Sequence, residues 1–160
     1  MSESPVSLNG RREFLAAACQ LMLDCHHSAC LLSQGLDPHV FGEPSFAEAV
    51  KQFLLSHDQT RLRVLVVQPQ RATQVPHALV ELGRRLSSRV EFREFSREQA
   101  AHTAEMLITD GRLLLERASD EALEARLIRN DASTARERQS QFDHFWEYAL
   151  PSPELRQLSL

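Results

Sequence analysis

The chain has almost no lysine. Lys51 is the single lysine, so the other 17 of the 18 basic residues are arginine. Acidic residues number 22 and the formal net charge is −4, whereas nucleic-acid binding usually needs a broad basic face. We therefore expect no broad nucleic-acid binding, although clustered arginines can still form a local anion site.

Cysteine and long apolar runs are also scarce. Cys19, Cys25 and Cys30 are odd in number and close together, unlike the even framework of disulfide-stapled secreted domains. No run approaches the roughly 18 apolar residues of a membrane span. Arg11-Arg12 with the apolar residues that follow resembles an export signal, but residues 14–25 repeat with the period of an amphipathic helix. These features predict a cytoplasmic protein without membrane association.

What is present is an alternation of helix and strand patterns over a length that suits one domain. We expect a disordered tail at 1–8, a single domain at 9–150 and an extension at 151–160. Asn9 is predicted to cap the first helix, and Ser45 with Glu48 to form a capping box for the second. Predicted helices cover 10–25, a segment from 45 to about 57, 76–87 and 132–149; predicted strands cover 28–33, 64–67, 90–93, 106–108, 113–115 and 123–129.

The order of these elements predicts an α/β fold. Alternating strands and helices in the first half favour parallel pairing, while Asp110-Gly111 predicts a tight hairpin turn in the second half. The expected architecture is a mixed β-sheet flanked by helices on both faces, in the order α-β-α-β-α-β, then a β-meander and a C-terminal helix.

One segment resembles the signature of the phospholipase D-like superfamily, which has a His, a Lys two residues later and an Asp five residues after that. Counting back from Asp110, the His position holds Thr103 and the Lys position holds Glu105, with His102 one place out of register. The order of elements over 9–150 also resembles one half of that fold. Segments at 63–69, 79–88 and 153–156 are similar to an uncharacterised bacterial domain that occurs alone or appended to GNAT-type acetyltransferases.

The resemblance implies an ancestry without the ancestral activity. In the family the His attacks phosphorus and the Lys neutralises the phosphate oxygens. Because Thr103 and Glu105 stand at these positions, we predict that the chain is not a phosphodiesterase. His102 and Asp110 are weak catalytic candidates, since a His could reach a carboxylate across the hairpin base; the alternative is that Asp110 serves only the turn.

Two further groups of residues are candidate ligand sites. Four arginines could gather where the ancestral phosphate would lie, or could form a solvated sheet edge beside acidic residues. They are Arg112, Arg117, Arg126 and Arg129. The run Cys25-His26-His27-x-x-Cys30 contains metal-ligating residue types, but only two at a time would share one side of an extended segment. We expect no metal and no cofactor.

The resulting hypothesis is a non-catalytic phospholipase D-like binding or interaction module. A homodimer is expected by analogy, because the family builds its full site from two facing halves, and isologous dimers are common. A protein partner or a small anionic ligand fits the same hypothesis. The alternatives are a divergent phosphodiesterase that uses His102, or an accessory domain to an acetyltransferase.

Overall fold

The structure of the chain, a computed structural model, describes residues 5–101 and 103–156. Helices and strands alternate along it as the hydrophobic patterns predict. In chain order the elements are β1 (Val6–Asn9), α1 (Gly10–Asp24), β2 (Ser28–Ser33), α2 (Pro44–Ser56), β3 (Arg61–Val66), α3 (Gln70–Thr73), α4 (Ala78–Arg85), β4 (Val90–Glu94), α5 (Arg97–Ala100), β5 (Glu105–Thr109), β6 (Leu113–Arg117), β7 (Glu124–Ile128), α6 (Ala132–Tyr148), β8 (Leu150–Pro151) and α7 (Pro153–Arg156).

Within the described ranges, eight strands form one sheet in the order β1-β7-β6-β5-β2-β3-β4-β8. The three strands β2, β3 and β4 run parallel, because α2 and α4 carry the chain back to the same edge between them. All other neighbouring strands are antiparallel, and β5 and β6 form the predicted hairpin. The predicted mixed sheet is confirmed.

Helices cover both faces of the sheet. On one side, which we call the α1 face, α1, α2 and α4 pack with Phe14, Phe46 and other buried apolar side chains. On the other side, the α6 face, Phe142 and Trp146 of α6 pack against the sheet. Strand β3 is buried on both sides, as its run of apolar residues predicts.

Both ends of the described chain join the sheet. Val6 pairs with Leu127 of β7, so the residues from position 6 belong to a strand and not to a tail. After α6, β8 pairs with β4, and Leu155 of α7 is fully buried. The predicted boundaries at residues 8 and 150 are therefore wrong in the part of the chain that the structure describes, because edge pairing and packing extend the domain past both.

The predicted helix caps are also wrong. Asn9 precedes α1, but its side chain makes no capping hydrogen bond. In α2, Pro44 occupies the first turn and Glu43 precedes it, so Ser45 lies inside the helix. Proline has a preset φ angle and no N–H group to satisfy, which makes it a favourable first helical residue. No helix among the described residues has the length and apolar character to cross a membrane.

Candidate functional site

The turn between β5 and β6 holds the loop that precedes β2. Asp110 and Gly111 adopt the predicted positive φ angles, +55° and +63°. The Asp110 carboxylate accepts hydrogen bonds from the backbone N–H groups of His27 (2.7 Å), His26 (2.9 Å) and Ser28 (3.1 Å). Burial acts to raise the pKa of Asp110, but these three N–H groups outweigh it and lower the pKa. The carboxylate therefore clamps the two segments together.

The structure describes only Asp110 of the predicted pair His102 and Asp110. His102 lies outside the described residues, so the pairing stays a prediction. Thr103 precedes β5 and Asp110 follows it, which places these two residues at opposite ends of a strand about 16 Å long. Asp110 thus lies at the far end of β5 from the two motif positions that carry the family's chemistry.

The two cysteines of the metal candidate point to opposite faces of the sheet. Cys25 belongs to the core of the α1 face, and Cys30 to that of the α6 face. Burial, with the nearby charge of Asp110, raises the pKa of the Cys25 thiol to about 12, so it stays protonated. In the ranges 5–101 and 103–156, no group of three or more side chains could hold a metal ion.

A buried carboxylate stands at the motif's lysine position. The Glu105 side chain, at the start of β5, is fully buried and accepts hydrogen bonds from Ser33 Oγ and Arg117 Nε. Arg117 is the cross-strand neighbour of Glu105, and its guanidinium lies over the Phe14 ring at 4.2 Å. Burial raises the pKa of Glu105, although Arg117 and Ser33 act in the opposite direction. The protein thus supplies both the anion and its counter-ion at this position.

Asp37, in the turn after β2, extends the ion pair of Glu105 and Arg117. Asp37 is 5% exposed, and its Oδ2 lies 3.0 Å from Arg11 Nε. The same oxygen lies 3.8 Å from Arg117 Nη2. Four side chains therefore form an ionic network of alternating positive and negative groups, which leads from the surface to the buried start of β5. They are Arg11, Asp37, Arg117 and Glu105.

The turn that carries Asp37 is held from two sides. Leu36 has a φ of +54°, which is uncommon for a bulky residue and indicates local strain. Its N–H donates to Ser33 Oγ (3.0 Å), and its carbonyl oxygen lies 2.9 Å from His77 Nε2. His77 Nδ1 accepts from the Val80 N–H at 3.3 Å, and burial lowers the pKa of this histidine. The neutral ring thus links the turn to α4.

A second ion pair holds the loop between β6 and β7, residues 118–123, over this network. Asp120 Oδ2 lies 2.7 Å from Arg71 Nη1. The Arg71 side chain crosses Gly35 so closely that a Cβ there would lie 2.8 Å from Arg71 Cδ. Beneath the loop is a cavity of about 560 Å³, which is lined by Arg11, Asp37, Arg71, Arg117 and Asp120 together with Glu121, Ala122 and Leu123.

The four predicted anion-binding arginines do not share one pocket, although Arg117 and Arg126 both line a cavity of about 620 Å³ where β6 ends and β7 begins. Arg117 lies on the α1 face, whereas Arg126 pairs with Glu116 on the α6 face. Arg112 follows the β5–β6 turn, and Arg129 follows the end of β7 at the same end of the sheet, and both are exposed. Of the four, Arg117 is the one that reaches the cavity on the α1 face, so the arrangement does not form one pocket from all of them.

Sequence reasoning missed most of the site. Asp37 and Ser33 lie at the carboxyl end of β2, the first of the parallel strands, which is where α/β sheets commonly place their ligands. Two features could have predicted the site from the sequence. One is the position of Asp37 and Ser33 after a parallel strand, and the other is the charged Glu105 beside the apolar residues of β5. Arg71 and Asp120 carried no signal, because only the folded loop brings them together.

The fold matches several solved structures. TrmBL2, an archaeal chromatin protein whose structure shows a novel mode of DNA binding, has a TM-score of 0.64 at 14% identity, over 94% of this chain and 55% of that one. NucT from Helicobacter pylori has a TM-score of 0.62 at 11% identity, over 93% and 99%. The phosphatidylserine synthase of Haemophilus influenzae Rd KW20 has a TM-score of 0.56 at 13% identity, over 98% and 41%.

NucT and the synthase belong to the phospholipase D superfamily, so the predicted phospholipase D-like fold is confirmed. Identities this low show the fold alone. The chain spans about half the length of TrmBL2 and less than half that of the synthase.

The comparison corrects one prediction about partners. Excluding broad nucleic-acid binding on the basis of net charge is wrong, because an archaeal chromatin protein whose structure shows a novel mode of DNA binding shares this fold. Net charge is a sum over the whole surface and does not report where individual arginines lie. The homodimer expected by analogy stays a prediction.

No curated protein matches this chain. A family model, in contrast, matches nearly the whole chain. The model, described as a domain of unknown function (DUF7931), covers residues 10–158. This range runs from the start of α1 past the end of α7 and includes every side chain of the ionic network. The chain therefore belongs to the DUF7931 family.

Proposed function

We propose that the chain is a non-catalytic binding module built on a phospholipase D-like half. Phosphodiester cleavage on this fold needs a histidine nucleophile and a lysine that neutralises the phosphate oxygens. Thr103 and Glu105 stand at those positions. The observation that supports the proposal most directly is Glu105, because its carboxylate repels phosphate and already occupies Arg117.

The electrostatic consequence is large. Two unit charges 4 Å apart interact by about 4 kcal/mol at an effective dielectric constant of 20. A lysine at this position would attract a phosphate by that amount. The Glu105 carboxylate repels it instead, but the paired Arg117 guanidinium offsets most of that repulsion. The exchange therefore removes roughly 4 kcal/mol of attraction for a bound phosphodiester.

The test is a phosphodiesterase assay on the full chain with bis(p-nitrophenyl) phosphate and with a phosphatidyl substrate. We expect no turnover above background, and no change on Thr103→Val. Reproducible turnover that disappears in Thr103→Val or in His102→Ala would refute the proposal and favour the divergent phosphodiesterase. An accessory role beside an acetyltransferase stays a prediction, which recurrent fusion of this domain to acetyltransferases would favour.

Nucleic acid is a second candidate partner. The fold likeness to TrmBL2 and two exposed arginines, Arg112 and Arg129, favour it. Both lie at the turn end of the sheet, and neither forms an ion pair with another described residue. Their charges are therefore available to phosphate groups.

Fluorescence anisotropy with a labelled DNA duplex tests this candidate. If the two arginines contact phosphates, the affinity should fall with salt, and each Arg→Ala change at Arg112 or Arg129 should lower the log–log salt slope by about 1. Arg156→Ala is the matched control, because Arg156 lies in α7, which follows β8 at the other edge of the sheet. Equal binding by all three variants and the parent would remove this candidate.

A further inference from the structure

We propose that the cavity beneath the β6–β7 loop binds a small zwitterion that carries a carboxylate and a protonated amine, as an aliphatic α-amino acid does. This inference rests on the binding role proposed above and names the chemical class of the ligand. Four observations on the cavity carry it: an unfilled buried donor, an unfilled acceptor, a balanced set of charges and an apolar wall.

The unfilled donor is Arg117 Nη2. The Arg117 side chain is 2% exposed, and its Nε is taken by Glu105. Nη2 has no hydrogen-bond partner among the described residues, and its distance of 3.8 Å from Asp37 is too long for one. A buried guanidinium N–H group without an acceptor lowers the stability of the fold. A ligand carboxylate in the cavity would accept a charge-assisted hydrogen bond from this group.

The unfilled acceptor is Asp120 Oδ2. This buried oxygen lies 2.7 Å from Arg71 Nη1 in an ion pair, and a carboxylate oxygen has lone-pair capacity left for a further donor. The side chain is 10% exposed. Glu121 adds an exposed carboxylate at the rim of the same cavity. An ammonium group would satisfy Asp120 and interact favourably with Glu121.

The charges that line the cavity cancel, which selects against ligands with a net charge. A bare anion would add a negative charge beside Asp37 and Asp120, and a bare cation would add a positive charge beside Arg11 and Arg71. A zwitterion adds no net charge and places each of its ends beside the opposite sign. The balanced groups are Arg11, Arg71 and Arg117 with Asp37, Asp120 and Glu121.

The remaining wall of the cavity is apolar. Ala122 and Leu123 line it, and Leu123 is 75% exposed. An aliphatic side chain on the ligand would cover part of this surface. The volume of about 560 Å³ lies within the usual range for small-molecule sites. The position of the two unfilled groups next to this wall points to an amino acid with an apolar side chain.

The test is isothermal titration calorimetry on the full chain with three matched probes. L-leucine carries both charged groups, 4-methylpentanoate lacks the amine, and 3-methylbutylamine lacks the carboxylate. We expect L-leucine to bind at millimolar concentrations or below, and each single-charge probe to bind at least about tenfold more weakly. No heat with L-leucine, or equal affinity for 4-methylpentanoate or inorganic phosphate, would overturn the zwitterion.

Variants locate the site without removing the buried Arg117. Asp120→Asn should reduce the preference for L-leucine over 4-methylpentanoate, because the carboxylate facing the amine is lost. Gly35→Ala should weaken L-leucine binding without a change of charge, since its Cβ displaces Arg71. Asp143→Asn, which breaks an exposed ion pair with Arg63 on the α6 face, is the control and should bind as the parent does.

Binding of L-leucine that survives both Asp120→Asn and Gly35→Ala would place the ligand elsewhere and overturn the assignment. The result is distinguishable from a failure of the proposed function, which is decided by phosphodiester turnover. Absent turnover together with absent L-leucine binding overturns the zwitterion alone.

Discussion

Replacing Glu105 by glutamine should destabilise the protein by about 2–4 kcal/mol. Removing one partner of a buried ion pair typically costs ~3–5 kcal/mol, because the other charge is left uncompensated in the interior. The cost is somewhat lower here, since glutamine keeps an oxygen that can accept from Arg117 or Ser33, and Asp37 remains 3.8 Å from Arg117. The full burial of the Glu105 side chain leaves water little access to replace the lost charge.

Urea unfolding, followed by circular dichroism, measures this free energy. A domain with a stability of about 5–15 kcal/mol remains folded after the change, so both arms of the transition are observable. Glu124→Gln, at an exposed site on β7, is the matched control and should fall within about 0.5 kcal/mol of the parent. The double variant Glu105→Leu with Arg117→Met removes both charges, and we expect it to be within about 1 kcal/mol of the parent or more stable.

The pH dependence gives an independent check. In Arg117→Met alone, Glu105 is buried without its counter-ion, and burial raises the pKa of this carboxyl in the folded state above its unfolded value. A folded state that binds the proton more tightly gains stability as the pH falls, so the deficit of this variant should shrink on acidification. A Glu105→Gln cost below about 1 kcal/mol, or a double variant less stable than either single one, would refute the reasoning.

Three further predictions concern groups outside the ion pair. Asp110→Asn should lower the free energy of unfolding by about 1–2 kcal/mol at neutral pH. It should also reduce the loss of stability at acidic pH, because the lowered pKa of Asp110 contributes stability that is lost as the pH falls through that pKa. Urea unfolding that shows the same loss of stability at acidic pH in the variant and the parent would contradict this. Since burial lowers the pKa of His77, stability should decline as the pH falls below its ordinary value of 6.5, and His77→Gln should remove that slope; a histidine that titrates normally by NMR would contradict it. Trp146→Ala should cost about 3–5 kcal/mol, because the ring is 9% exposed, stacks on Phe142 and carries Arg93 over its face; a loss below about 1 kcal/mol in urea unfolding would show that α6 does not depend on it.

The sequence predicts those parts of the fold whose structure is encoded by a local residue pattern. Val64 to Val66 are apolar on successive positions, which indicates a strand covered on both sides, and the strand is there. Asp110-Gly111 carries the positive φ angles of its turn within two residues. Strand β1 had no such signal, because an edge strand with exposed side chains owes its place to β7 rather than to its own pattern.

The site depends on contacts that no local pattern encodes. Ser33 and Glu105 are 72 residues apart, yet their side chains share a hydrogen bond. Arg71 meets Asp120 because Gly35 leaves room for its side chain and the β6–β7 loop folds back. The motif comparison identifies the unusual glutamate at position 105, but it predicts an anion pocket for Arg117, because the sequence does not show that Arg117 lies opposite Glu105 in the β5–β6 hairpin.

The buried pair of Glu105 and Arg117 also bears on how this lineage could change in future. A single Glu105→Lys mutation, which would introduce the lysine of the phospholipase D-like signature, would place an ammonium against a buried guanidinium and destabilise the fold. Changing Arg117 first would leave Glu105 buried without its counter-ion. Either order passes through a poorly stable intermediate protein, so the effect of each mutation depends on the other. Selection for folding alone is enough to oppose a lysine at position 105 that is reached one mutation at a time.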